Sequence, residues 1–146
     1  MKILNIGIII REAKKELPNL RLISGDALMD VEFLFIAGEA GVGAHFTFGP
    51  DMRQKPEARD VAAAIREEDA YEPEGYTLYA YGAVQAWAQA VEQAGSLKPK
   101  AIIKALKEGT FDTVLGKIGF DEKGDVTGIS NFVWYVFGKK DYSPVK

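Results

Sequence analysis

The chain has 146 residues, of which 47% are apolar and 27% charged, with eighteen basic and twenty-one acidic side chains and a net charge of −3. That profile suits a globular protein able to bury roughly 70% of its unfolded surface. No basic stripe alternates with aromatic residues, which argues against nucleic acid as a partner. The absence of cysteine excludes disulfides, zinc–thiolate sites and thiol nucleophiles.

The opening "MKILNIGIII" is too short to cross a bilayer, and it runs into "REAKKELPNL" without a small-residue cleavage site. A secretion signal is therefore not expected. Helical spacing puts Ile3, Ile6, Ile9 or Ile10, Ala13 and Leu17 on one face, opposite Arg11, Glu12, Lys14 and Lys15, with Pro18 as the stop. "LRLISG" reads as a short strand ending at Ser24, Gly25 and Asp26, and "MDVEFLFIAGEAG" as a short helix closed by glycines. "AHFTFGP" reads as a strand stopped by Gly49 and Pro50. "KPEARDVAAAIREEDAY" reads as a helix with Val61, Ala62 and Ile65 inward.

"EGYTLYAYGAVQAWAQAVEQAG" is the clearest helix, with apolar residues at Tyr76, Tyr79 or Ala80, Ala83, Trp87, Ala90 and Ala94, and Gly95 at its end. "SLKPKAIIKALKEG" follows with Ser96 as a cap, Ile102, Ile103 and Leu106 inward, and Gly109 as a stop. A hairpin and the strand "NFVWYVF" complete an α/β chain. "GFDEKGDV" raises the question of a calcium loop. Counting from Asp121, however, Lys123 occupies the third position and Phe132 the twelfth, so the stretch is a turn.

Catalytic chemistry is sparse. His45, the only histidine, has no acidic or sulfur partner at ligand spacing, and Ser24 lacks the elbow pattern of a hydrolase nucleophile. The glycines of "GEAGVG" follow a helix and open none, unlike a dinucleotide cradle. Glu67, Glu68 and Asp69 read as solvated surface. No enzyme motif, metal site or cofactor site emerges.

Two positions suit a ligand. Asp26 lies beyond a strand's carboxyl end, where open α/β sheets place their crevices, and its carboxylate suits an ammonium. The alternative is a helix cap, supplied by Asp26 or Asp30. Tyr76, Tyr79 and Tyr81 suit either an apolar side-chain pocket or the core.

"LISGDAL", "IAGEAGVGAHFTFGPD", "YEPEGYTLYAYGAVQAWAQAVEQAG" and "GTFDTVLGKIGFDEKGDV" occur in an order and spacing that resemble the carboxyl-terminal part of the periplasmic binding proteins for leucine, isoleucine and valine. These are the type I solute-binding proteins of ABC importers. The resemblance spans about Ile6 to Val145. It implies part of a fold with two Rossmann-like lobes that close on an amino acid by a hinge. It also implies an ABC permease as partner and a periplasmic location for the full-length protein.

On this resemblance Asp26 matches the family's acidic ligand for the α-ammonium, and Tyr76 the aromatic residue lining its side-chain pocket. The segment that grips the ligand carboxylate is absent. The family pattern implies residues 1–43 in the second lobe, 44–126 in the first, and 127–146 returning to the second. It further implies that "LRLISG", "AHFTFGP" and "NFVWYVF" lie in two different sheets. A truncated type I fold with incomplete sheets is expected to be completed by homo-oligomerisation. An amino-acid or amide sensor domain of a regulator, with the same fold, is the alternative function.

Overall fold

The computed structural model describes residues 2–129 and 132–145. The chain forms two compact units, one from Met1–Pro50 with Asn131–Lys146 and the other from Asp51–Ser130.

The first unit begins with α1 (Lys2–Glu16), β1 (Ile23–Ser24), α2 (Glu32–Ala37) and β2 (His45–Phe48), and is completed by β6 (Val133–Phe137) and β7 (Tyr142–Pro144). Helix α1 forms as its periodicity demands, but Ile10 is the buried member of its inner face and Ile9 and Leu17 are exposed. The side chain of Ile3 and the whole of Asn131 lie outside the described residues.

The strands form one sheet in the order β1-β2-β6-β7. Strands β1 and β2 are parallel, with Ile23 opposite His45. The pairs β2–β6 and β6–β7 are antiparallel. The three strands expected in two sheets therefore share one. Strand β2, expected with the middle segment, stays beside β1, and the chain leaves this unit after Pro50 and not after Gly43. The ladder explains both corrections. All four residues of β2 pair with β6, and Pro50, which has no N–H, ends the strand.

An aromatic cluster covers one face of this sheet. Phe46 stacks 5.4 Å from Tyr135 and lies 5.1 Å from Phe137 and 5.6 Å from Tyr142 between ring centroids. Phe33 of α2 comes within 4.9 Å of Phe137. These rings are buried, so area and edge-to-face contacts together hold the unit. The Tyr135 hydroxyl donates to the Gly49 carbonyl at 3.1 Å, which satisfies the one polar atom the ring brings inside.

The second unit contains α3 (Arg59–Asp69), α4 (Tyr76–Ala94), α5 (Pro99–Glu108) and a meander of β3 (Phe111–Thr113), β4 (Gly116–Phe120) and β5 (Val126–Thr127). Helix α4 ends at Gly95 in the left-handed conformation. Its buried residues are Leu78, Gly82, Ala86 and Ala90, one turn apart. Ala83 and Trp87, expected inside, face out. The cause is a close approach: a Cβ on Gly82 would sit 2.6 Å from Leu115 Cγ, so this small-residue face is the one the meander can reach.

Two glutamines of α4 then satisfy the edge of β3. Gln85 Oε1 accepts from the Val114 amide at 2.8 Å, and the Gln89 amide bonds both backbone groups of Asp112. On α5, Ile102 is buried and Ile103 is exposed. Lys98, and not Ser96, occupies the capping position, although Ser96 Oγ accepts from the Lys98 amide. The Asp121 carboxylate accepts from the Lys123 and Asp125 amides, both at 2.9 Å, so "GFDEKGDV" is a turn between β4 and β5. β4 pairs with β3 and with Val126 and Thr127 of β5, whereas β6, within "NFVWYVF", belongs to the other sheet.

Candidate functional site

Asp26 belongs to the first unit and Tyr76 to the second. Asp26 opens a single 3-10 turn, Asp26–Leu28, just past the carboxyl end of β1. Leu28 and Met29 are buried and pin this turn to the core, whereas Asp26 is exposed. In the neighbouring Asp30, Oδ1 accepts from the Glu32 amide at 2.8 Å just before α2, whose capping position is Val31. Because β1 and β2 run parallel, their carboxyl ends point the same way. A crevice beyond them is where this kind of sheet receives ligands. A carboxylate anchored by buried neighbours and held out past the strand end is suited to an ammonium.

Tyr76 is the first residue of α4 and is 56% exposed. It is aimed by Gly75, whose φ of 51° and ψ of −120° form a conformation that a side chain would strain. The loop before it is clamped by charge. Arg53 is largely buried and bonds Asp51 at 2.7 Å and Glu72 and Glu74 at 3.3 Å. Arg66 reaches Glu72 at 2.6 Å. Hydrogen bonds from Arg66, reinforced by Arg53, hold the Glu72 carboxyl below its ordinary value. Burial of Glu74 is tolerable because its charge is paired with Arg53. The sequence signal for this clamp was "EPEG" with an Asp-x-Arg upstream, a pattern that shows its meaning only once the loop folds back.

Other residues weighed from the sequence have structural duties or no partner chemistry. His45 is half-buried, and its Nδ1 donates to the Gly43 carbonyl at 2.9 Å. Among the described residues, no group of three or more His, Cys, Asp or Glu side chains is placed to hold a metal ion. No described helix is long and apolar enough to cross a membrane.

The protein-family model described as "Periplasmic binding protein" matches residues 22–138. A Leu/Ile/Val-binding protein homolog from Brucella suis is 43% identical over 134 residues, covering 91% of this chain but 36% of its own length. A leucine-, isoleucine-, valine-, threonine- and alanine-binding protein from Pseudomonas aeruginosa is 32% identical over 133 residues, again with 35% of its own length matched. Among solved structures, a leucine binding protein from Thermotoga maritima superposes with a TM-score of 0.83 at 25% identity, covering 99% of this chain and 41% of that one. A branched-chain amino acid binding protein from Streptococcus pneumoniae, solved with isoleucine, has the same fold, with a TM-score of 0.77. The chain thus spans little more than a third of the curated relatives it matches.

Proposed function

Because this chain belongs to the periplasmic binding protein family, a family of binders and not of enzymes, we propose that it supplies part of a receptor that captures a branched-chain or related amino acid for an ABC permease. In the full-length receptor the family resemblance assigns the α-ammonium to Asp26 and, separately, the aromatic lining of the side-chain pocket to Tyr76. The observation that carries this reading is the placement of Asp26, exposed past the carboxyl end of a strand paired in parallel, on a turn whose following residues Leu28 and Met29 are buried. The names of the relatives supply the solute class, and the family supplies the periplasmic setting.

The test uses a chimera in which this chain replaces the matched segment of the Brucella relative, titrated with leucine by calorimetry. Asp26→Asn weakens binding by about 1.5–3 kcal/mol, the scale of a hydrogen bond to a charged group. Unchanged affinity would remove Asp26 from the site. Tyr76→Ala changes the preference among leucine, valine and alanine, and an unchanged preference would remove Tyr76. By itself the chain lacks the carboxylate-gripping segment, so millimolar leucine leaves its melting temperature where it was. Alone, it is a homo-oligomer, most simply a two-fold dimer, which light scattering after gel filtration measures directly.

A further inference from the structure

The second unit buries one arginine among three carboxylates. Arg53 lies in a single 3-10 turn, Met52–Gln54, and its side chain is 13% exposed. Two edges of its guanidinium are in use. Nε and Nη2 lie 2.9 and 2.7 Å from the Asp51 carboxylate. Nη1 lies 3.3 Å from Oε1 of both Glu72 and Glu74. Pro73, between these two glutamates, is fully buried, so the two carboxylates reach one nitrogen from a backbone that a packed proline holds.

The pair with Glu74 continues into the backbone of α4. The Glu74 carbonyl accepts from the Thr77 amide at 3.1 Å, which closes the turn containing Gly75 and Tyr76. The loop before α4 has positive φ at both ends, 51° at Gly75 and 51° at Ala70, the one non-glycine with positive φ among the described residues. Such a shape persists only where surrounding contacts over-determine it. Tyr76 is more than half exposed, so the backbone at its root decides where the ring can reach. A buried ion network adds little net stability over apolar packing, because desolvation offsets the attraction. What it can supply instead is a defined geometry.

We propose that Arg53 is a positioning residue of the amino-acid site, which through Glu74 sets the direction of Tyr76 and thereby the choice among ligand side chains. This rests on the assignment of Tyr76 to the side-chain pocket. Arg53 itself does not contact the ligand. Lysine cannot replace it, since an ammonium is a point charge without the planar fork that serves Asp51 and both glutamates together.

The chimera described above is titrated by calorimetry with leucine and with alanine, and the ratio of the two affinities is read. A variant that merely lowers the folded fraction scales both affinities alike and leaves the ratio unchanged. Arg53→Lys is expected to shift the ratio about fivefold, in the direction of Tyr76→Ala, and to shift it no further in a Tyr76→Ala background. Glu74→Gln keeps the side chain's shape and an acceptor for Nη1, and shifts the ratio about twofold in the same direction. It carries the test should Arg53→Lys fail to fold. In the full chain by itself, hydrogen exchange of the Thr77 amide speeds up about tenfold in either variant, while the amides of α5 keep their rates.

A ratio that Tyr76→Ala shifts and the other two variants do not would overturn the positioning role and leave Tyr76 in the pocket. A shift of equal size with and without the Tyr76 ring would overturn it as well, because Arg53 would then act elsewhere. Unaltered exchange at Thr77 would break the link through Glu74 and the proposal with it. If Tyr76→Ala itself leaves the ratio unchanged, the pocket assignment falls and carries this inference down.

Discussion

The two units solve the same problem, covering one face of a small sheet, with opposite means. The first concentrates burial in a few large rings: Phe33, Phe46, Tyr135, Phe137 and Tyr142. The second distributes it over small residues. Gly82 and Ala86 let α4 lie close to the meander, and glutamine and arginine side chains hold the edges and loops. A few large contacts make a unit sensitive to any one deletion. Many small ones make it sensitive to insertion and to loss of a polar partner. Because Trp134 reports the first unit and Trp87 the second, the two behaviours can be followed separately in one chain.

The largest effect is expected in the first unit. Phe46→Ala removes the ring that touches three others and costs about 3–5 kcal/mol, read as a lower denaturation midpoint from Trp134. A loss below 1 kcal/mol would mean that the cluster is not what holds the sheet. In the second unit the corresponding test is an insertion. Gly82→Ala drives a methyl group against Leu115 and costs about 1–3 kcal/mol, seen from Trp87. A neutral result would show that the meander can shift and that the close approach is loose.

A smaller loss isolates the polar contribution. Gln85→Met keeps the side-chain volume but leaves the Val114 amide without its acceptor, which costs about 1–2 kcal/mol. Equal stability in the variant would assign the edge of β3 to packing alone.

The smallest effect concerns pH. The folded pKa of Glu72 is lowered from 4.5, chiefly by the hydrogen bonds of Arg66. Its contribution is therefore complete above that unfolded value and is lost as pH falls below it, through the lowered folded value. The side chain is exposed and screened, so the loss is under about 1 kcal/mol. Stability of Arg66→Gln measured from pH 7 to pH 3 tests this. The variant's curve should lie lower at neutral pH and converge on the parent's in acid, and parallel curves would exclude the pair.

Much of the element order was legible in the residues themselves. Helix α4 follows from its length, its uniform helix formers and Gly95. The turn at Asp121 follows from a carboxylate that can bond the amides two and four residues on. The family follows from four motifs in register. These are local signals, set by spacing along the chain.

What the sequence could not decide is which face of an element is buried and which strands are neighbours. Apolar residues surround α4, so periodicity offers several faces of similar merit. The approach of Leu115 to Gly82 selects one and leaves Trp87 outside. Strand β1 has two residues, too few to specify a partner, and it gains one only because β2 presents a ladder beside it. Ile9 and Ile10 are equally apolar, and only the packing of α1 against the rest of its unit buries the second. In each case the deciding contact joins residues far apart in the chain, and its free energy exists only once the tertiary structure has brought them together.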